Sequence, residues 1–245
     1  MKIAIIGYGK MGKEIERLAN SNQIEVTKII DIQNHQDIFQ LKKIHTDVAI
    51  EFTQPTSAID NIKICFEQNI PIVCGTTGWY EHMPTIKQWQ KKYNGTLFYA
   101  SNFSIGVNLY MKIIEYSTKL MNQFIGQYHI YIEETHHTQK KDSPSGTALT
   151  LSNIVMNQMK QFNKIENYLN QDVQNHSLSH TLPIYSYRKD SVIGEHKLTF
   201  ESDVDSITLT HNAKNRTGFA LGAIKAAEYL INQPAGIYTM NNLIK

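Results

Sequence analysis

Short apolar runs alternate with segments of helical spacing over the first hundred residues. The runs at 2–6, 25–31, 47–53, 71–76 and 97–100 predict strands, and the segments at 10–19, 55–68 and 84–92 predict helices. Strands that alternate with helices are typical of a parallel sheet with helices on both faces. The first part of the chain is therefore predicted to be an α/β domain.

The pattern of apolar positions changes after residue 103. Helices are predicted at 104–124, 146–162 and 217–232, and strands at 128–134, 182–187, 195–201 and 206–211, the last three forming an antiparallel sheet. The polar, weakly periodic stretch 163–180 is predicted to be a long loop. These elements predict a mixed α+β domain over residues 103–215 and a first domain of residues 1–102, which the C-terminal segment 216–245 completes.

Composition narrows the class of protein. The formal net charge is +2 at pH 7, which is too small to indicate a nucleic-acid partner. Cys65 and Cys74 are the only cysteines, and two thiols in 245 residues predict no disulfide framework and a reducing compartment. The first apolar run is too short for a signal peptide, and no run approaches the ~18 apolar residues of a membrane span. We expect a cytoplasmic protein that binds neither nucleic acid nor a membrane.

A glycine-rich motif, Gly7-Tyr8-Gly9-Lys10-Met11-Gly12, joins the first predicted strand to the first predicted helix. This spacing in this context is typical of the turn that binds a dinucleotide in a Rossmann-like domain. Gly7 permits the tight turn, Gly9 lets the backbone approach a pyrophosphate, and Gly12 lets the helix pack on the strand. Free N–H groups at the start of the helix would then bind the phosphates. A glycine-rich turn without a ligand is the alternative interpretation.

Asp31 ends the second predicted strand, about 20 residues beyond the last glycine of the motif. A carboxylate in that place binds the ribose hydroxyls of NAD. Lys10 is the nearest cation that could bind a 2′-phosphate, and no Lys or Arg follows Asp31 within the next few residues. We therefore expect NADH to be the preferred cofactor, with NADPH possible.

Two further segments follow predicted strands at the same edge of the sheet. Gly75-Thr76-Thr77-Gly78 follows the fourth predicted strand, and Ala100-Ser101-Asn102-Phe103 ends the fifth. Ligands of parallel sheets bind along this carboxyl edge. Both segments are candidates for cofactor binding, although Gly, Thr, Ser and Asn also favour ordinary turns.

The run from Glu134 to Ala148 concentrates the groups that a reduction needs. Hydride transfer leaves negative charge on the acceptor, and His136 is a suitable proton donor because imidazole titrates near neutrality. Lys140 could stabilise the developing charge or anchor a carboxylate. Ser145-Gly146-Thr147 opens a predicted helix, where a hydroxyl and free N–H groups can bind a carboxylate.

Other interpretations of the same run remain open. The pair His136-His137 could lie on the surface at a strand end, or could bind a metal with Glu133 or Glu134 as a third ligand. Neighbouring residues of a strand point to opposite faces, which argues against a metal, and we expect none. Ser145 could be a nucleophile, but no G-x-S-x-G elbow surrounds it, and Pro144-Ser145 is equally a plain helix N-cap.

The run matches E-x-H-H-x-x-K-x-D-x-P-S-G-T-A at every specified position, and so resembles the signature of the 4-hydroxy-tetrahydrodipicolinate reductases (dihydrodipicolinate reductases) of lysine and diaminopimelate synthesis. The resemblance extends over essentially the whole chain, through residues 7–12, 75–78, 102–108 and 194–196. It implies a dinucleotide-binding domain and a mixed substrate domain, through whose sheets four chains assemble. The implied reaction is the reduction of 4-hydroxy-tetrahydrodipicolinate to tetrahydrodipicolinate by NADH or NADPH.

The resemblance also implies roles for individual residues. His136 would donate the proton, and Lys140 would be a second donor or a charge stabiliser. The implied substrate-binding residues are His137, Ser145, Gly146 and Thr147. The implied cofactor-binding residues are Gly7, Tyr8, Gly9, Lys10, Met11, Gly12, Asp31, Gly75, Thr76, Thr77, Ala100, Ser101, Asn102, Phe103 and Arg216. A basic residue often follows the acid in this family, and Ile32 stands there in this chain.

Two other functions fit the same residues. One is a related two-domain dehydrogenase that acts on an amino acid or a sugar, which a measured preference for such a substrate would support. The other is a non-catalytic NADH sensor, against which the intact His136, His137 and Lys140 argue. We expect a reductase of a cyclic dicarboxylate.

Overall fold

The computed structural model describes residues 1–173, 180–215 and 217–244. Its backbone divides into two compact units, one formed by Met1–Ile105 with Thr217–Lys245 and the other by Gly106–Arg216. Arg216, a predicted cofactor-binding residue, and positions 174–179 of the predicted loop lie outside the described residues.

The first unit is a six-stranded sheet in which every pairing is parallel. Its strands are β1 (Lys2–Ile6), β2 (Glu25–Ile30), β3 (Val48–Glu51), β4 (Ile72–Cys74), β5 (Thr96–Tyr99) and β11 (Gly236–Tyr238), in the order β11-β5-β4-β3-β1-β2. Its helices are α1 (Lys10–Ser21), α2 (Pro55–Glu67), α3 (Met83–Tyr93), α6 (Thr217–Leu230) and α7 (Met240–Leu243), with a 3₁₀ helix at Ile32–Gln40. The strands are added outwards from β1 in both directions, because β2 lies on one side of β1 and β3 on the other. Such a switch point is where parallel sheets bind ligands.

Both faces of this sheet are buried, which is why its strands are apolar throughout. Ile3 and Ile5 of β1 pack with residues of α1 and α6 in one core cluster. Ala4 and Ile6 point to the opposite face and pack with residues of α2 and α3. The predicted parallel sheet with helices on both faces is confirmed.

The second unit packs two helices against a mixed five-stranded sheet. Its elements are α4 (Ile105–Met121), β6 (His129–His136), α5 (Gly146–Gln158), β7 (Lys164–Leu169), β8 (Thr181–Arg188), β9 (Gly194–Glu201) and β10 (Ser206–Ala213). The strand order is β10-β9-β6-β8-β7, so β6 lies at the centre. Apolar residues of α4, α5 and one face of the sheet form its core.

Two predictions for this unit are wrong. The stretch 163–180 is not a continuous loop, because Lys164–Leu169 forms β7 and pairs with β8. The strand predicted at 182–187 is not antiparallel to its neighbours, because β8 runs parallel to both β6 and β7. Parallel partners are joined by long crossovers, and the local pattern of a strand does not reveal them.

Over the described ranges, no helix is both long and apolar enough to cross a bilayer.

Candidate active site

Packing requires two of the three glycines in the loop after β1. Gly7 has φ of +94°, and a Cβ there would lie 2.1 Å from the carbonyl oxygen of Phe52. A Cβ on Gly12 would lie 2.2 Å from the carbonyl oxygen of Gly7. A Cβ on Gly9 would meet no described atom within 4 Å. The open space beside Gly9 fits a ligand that approaches the backbone closely, as a pyrophosphate does.

Helix α1 begins at Lys10 directly beyond this open space. No side chain caps its N-terminus, and its first turn has no acidic residue, among the residues that the structure describes. The first N–H groups of a helix lack partners within the helix and attract anions. Residues 7–12 therefore fit the phosphates of a dinucleotide.

Asp31 lies beside the glycine loop because β2 pairs with β1. The N–H of Gly7 donates to the carbonyl of Ile30 at 2.8 Å, which places the end of β2 against the loop. The exposed Asp31 carboxylate accepts from the N–H of Ile32 at 2.9 Å, and the N–H of Asp31 donates to Asn34 Oδ1 at 2.7 Å. The sequence interpretation missed this capping of the 3₁₀ helix, which fixes the carboxylate in place.

The candidate segments after β4 and β5 lie at the same edge as the glycine loop. Thr77 and Ser101 are exposed, whereas Ala100 and Phe103 are buried in the core and could meet a ligand only through their backbone. Asn102 Oδ1 accepts from the N–H of Ser104 at 2.9 Å, which forms the turn after β5. The register β4–β5 pairs Cys74 with Tyr99, so the two segments start at the same level.

In the second unit, β6 presents Glu134 and His136 on one face, because residues two apart in a strand point the same way. The Glu134 side chain is fully buried, and His136 is only 8% exposed. Nδ1 of His136 lies 2.8 Å from Oε2 of Glu134. The other oxygen of Glu134, Oε1, accepts from the N–H of Ser145 at 3.1 Å and lies 3.2 Å from a guanidinium nitrogen of Arg188.

The pKa of Glu134 lies well below its ordinary value. Burial alone would raise it, but the close contact and charge of His136 and the hydrogen bond from the N–H of Ser145 outweigh the burial. Glu134 is therefore a carboxylate at neutral pH.

Ser145 joins this pair to the helix that follows it. Its Oγ caps α5 by accepting from the N–H of Ala148 at 3.2 Å, and it lies 3.1 Å from Nε2 of His196. Burial first, and then the charge of His136, lower the pKa of His196 to about 4. His196 is neutral at pH 7, so its Nε2 can accept a hydrogen bond from the Ser145 hydroxyl. The N-cap interpretation of Ser145 is the one that this geometry supports.

Lys140, His137 and Thr147 surround the same turn. Lys140 Nζ lies 2.8 Å from both carboxylate oxygens of Asp142. Nδ1 of His137 is buried and has no hydrogen-bond partner among the described residues. Gly146 is exposed and Thr147 half-buried at the first positions of α5. The structure thus brings the predicted catalytic and substrate-binding residues to one end of β6.

Gly194 and Arg188 also contact residues of this cluster. A Cβ on Gly194 would lie 3.1 Å from Nε2 of His136, so this close approach favours glycine. Arg188 donates to the carbonyl oxygens of Asp142 at 2.6 Å and Tyr187 at 2.8 Å. No local signal in the sequence could show that Arg188 spans the turn.

Ligand atoms of Glu134, His136 and His196 lie within 4.8 Å of one another, so they form a possible metal site. The Arg188 guanidinium already lies against the Glu134 carboxylate and would repel a divalent cation. His196 Nε2 is occupied by the Ser145 hydroxyl. The donor set fits a hydrogen-bond network better than a metal.

Models of one protein family match both halves of the chain. Residues 1–103 match the model described as "Dihydrodipicolinate reductase, N-terminus", and residues 106–244 match "Dihydrodipicolinate reductase, C-terminus". The chain belongs to the dihydrodipicolinate reductase family. The resemblance inferred from the signature run is confirmed, and the chain is an NAD(P)H-dependent oxidoreductase.

Relatives of this family cover the full chain. A 4-hydroxy-tetrahydrodipicolinate reductase of Christiangramia forsetii is 39% identical over 100% of this chain and 98% of its own length. One from Staphylococcus haemolyticus is 33% identical over 99% of this chain and all of its own length. The dipicolinate-bound dihydrodipicolinate reductase from Paenisporosarcina sp. TG-14 superposes with a TM-score of 0.80 at 22% identity and covers 100% of this chain and 99% of its own, which shows the shared fold.

Proposed function

We propose that this chain reduces 4-hydroxy-tetrahydrodipicolinate to tetrahydrodipicolinate with NADH or NADPH, a step of diaminopimelate and lysine biosynthesis. The substrate takes up one hydride and one proton and loses its 4-hydroxyl group as water. The observation that supports this best is the pairing of His136 with the buried Glu134, directly beside the capped turn at Ser145. A proton donor and an anion-binding turn are what a reduction of a cyclic dicarboxylate needs.

His136 is the proposed proton donor. A nicotinamide held by the first unit would supply the hydride, and negative charge would then develop on the substrate ring. Glu134 holds one ring nitrogen of His136 at 2.8 Å and so orients the imidazole. The other nitrogen, Nε2, can then deliver a proton to the substrate.

Lys140 and the start of α5 are the proposed substrate-binding groups. The N–H groups of Gly146 and Thr147 are at the N-terminus of a 13-residue helix, where they attract a carboxylate. Lys140 is a cation that can stabilise charge on the substrate, after exchanging its contact with Asp142. His137 offers its unpartnered Nδ1 to the same ligand.

The nucleotide is proposed to bind at residues 7–12, Asp31, 75–77 and 100–103 of the first unit. Asp31 favours the free ribose hydroxyls of NADH, and the exposed Ile32 offers no charge to a 2′-phosphate. NADPH is also a proposed cofactor, because Lys10 of the glycine loop is a cation that could bind the 2′-phosphate. The pairing of Glu134 with Arg188 supports catalysis without a metal.

One assay tests this function. The protein is mixed with NADH or NADPH and with precursor made freshly from aspartate semialdehyde and pyruvate, and the absorbance of the reduced nicotinamide is followed. Oxidation that survives a chelator is expected with both nucleotides. No oxidation with either would refute the assignment, and binding of nucleotide without turnover would favour a sensor. Faster oxidation of nucleotide with an amino-acid or sugar substrate would favour a related dehydrogenase.

A further inference from the structure

Glu51 ends β3 with its side chain fully buried, at the edge where the nucleotide is proposed to bind. A buried carboxyl group is costly unless its oxygens accept hydrogen bonds. Sequence reasoning gave Glu51 no role, and neither the hydride nor the proton step uses it. Its partners therefore need an explanation.

Oε1 of Glu51 collects donors from two loops. It accepts from the N–H of Thr53 at 2.9 Å, from the Thr53 hydroxyl, and from the Thr76 hydroxyl at 3.0 Å. The N–H of Thr53 also lies 2.8 Å from Thr76 Oγ1. One oxygen atom thus ties the loop after β3 to the loop after β4.

Oε2 of Glu51 is engaged from the opposite side. The Cys74 thiol donates to it at 2.9 Å. Burial, and then the nearby Glu51 carboxyl, raise the pKa of Cys74 well above its ordinary value, so the thiol keeps its proton at neutral pH. Both oxygens of Glu51 are satisfied, and the group is held in one orientation.

The residue after Glu51 contacts the remaining loops. The carbonyl of Phe52 packs against Gly7, where a Cβ would lie 2.1 Å from the oxygen. The Phe52 ring packs on Gly75, where a Cβ would lie 2.1 Å from Cε1, and its centroid is 5.9 Å from that of Phe103. Fixing Glu51 therefore fixes the backbone against which three candidate nucleotide segments rest, namely the glycine loop, residues 75–77 and residues 100–103.

We propose that Glu51 is a positioning residue for the nucleotide site, which sets the spacing of the Thr53 and Thr76 loops around the glycine loop. The inference rests on the proposed function, since it assumes that the nucleotide binds at this edge. Glu51 acts through the loops and does not touch the substrate. Its replacement should weaken nucleotide binding while the substrate KM stays the same.

The test compares Glu51→Met and Glu51→Gln with the parent. Dissociation constants for NADH and NADPH are measured by nicotinamide fluorescence, alongside KM for both reactants and the urea unfolding midpoint. We expect Glu51→Met to raise the nucleotide dissociation constant by about tenfold or more, because several buried hydrogen bonds are lost. Glu51→Gln keeps an acceptor of the same shape and should restore most of the affinity.

Ile50→Val is the matched control. Ile50 is equally buried on β3, and the change deletes one methyl group without touching the loop donors. A merely structural role for Glu51 predicts that both variants lose stability and that the folded protein binds nucleotide as the parent does. Equal nucleotide affinity in parent, Glu51→Met and Ile50→Val would overturn the inference.

A double-mutant cycle covers the case in which Glu51→Met fails to fold. Glu51→Asp, which draws the carboxylate back from the loop donors, and Thr76→Val should each weaken nucleotide binding, and the double variant should be no weaker than about twice the worse single variant, because both remove one linkage. Fully additive effects would overturn the inference. A parent that binds neither nucleotide would instead refute the proposed function, and this inference with it.

Discussion

At the scale of single residues, the pair Glu134 and His136 concentrates the chemistry. The carboxylate is buried and its pKa is lowered, so its negative charge persists beside the imidazole at neutral pH. Sequence reasoning could identify His136 from its chemical type and the signature run. It could not show that Glu134 is also held by Ser145 and Arg188, because these partners are far apart along the chain.

His136→Gln should lower kcat by ~10²–10⁴-fold, the usual contribution of a general acid, with the KM for substrate little changed. Steady-state kinetics at neutral pH measure this. His82→Gln, an exposed histidine of the first unit, is the control and should leave kcat unchanged. If His136→Gln retains full kcat and Lys140→Met loses it, the proton comes from Lys140.

Ile32→Arg should shift cofactor preference towards NADPH. Ile32 is 90% exposed directly after Asp31, so a guanidinium there costs little stability and can bind a 2′-phosphate. We expect the ratio of kcat/KM for NADPH over NADH to rise by about tenfold, or ~1.4 kcal/mol. A parent ratio already more than about tenfold in favour of NADPH would contradict the proposed role of Asp31.

At the scale of elements, strands with a clear apolar pattern were predicted correctly, and strands with a weak or very short pattern were not. The apolar strands of the first unit are buried on both faces, so their runs stand out in the sequence. Strand β7 reads Lys-Ile-Glu-Asn-Tyr-Leu, a polar edge strand that is fixed by its pairing with β8 and not by its own pattern. Strand β11 has three residues, too few for any periodicity to appear.

The stability of the protein should depend on pH through His196, which is buried on β9. Its pKa falls from 6.5 to about 4 on folding, so the unfolded chain binds the extra proton between these values. Stability should therefore be unaffected above pH 6.5 and fall as the pH drops towards 4, by up to about 3 kcal/mol. His211, whose pKa is also lowered by burial, adds in the same direction.

Urea unfolding of the parent and of His196→Gln from pH 7.5 to pH 5 measures this effect. The variant should lose less stability than the parent over that range. The lowered pKa of Glu134 does not interfere, because its contribution is lost only at still lower pH. Identical pH dependence in the two proteins would show that His196 is not held neutral.

At the scale of the whole molecule, we expect four chains of 28.1 kDa to assemble. Large apolar side chains are exposed at helical spacing along α4, which supports self-association of a single chain: Leu109, Ile113, Tyr116 and Leu120. Light scattering after size exclusion measures the mass. A mass of one chain that does not change with concentration would contradict the tetramer.

The contacts around His136 join residues that are far apart in the sequence, and this separation affects the order of events in folding. Glu134 meets Arg188 across 54 positions, and Ser145 meets His196 across 51. Contacts between residues so far apart in the sequence form late, because the entropic cost of closing the intervening loop must first be overcome. On dilution from denaturant, helical circular dichroism should therefore return before catalytic turnover does. Recovery of activity would then show that the central strand β6 has paired with both β8 and β9.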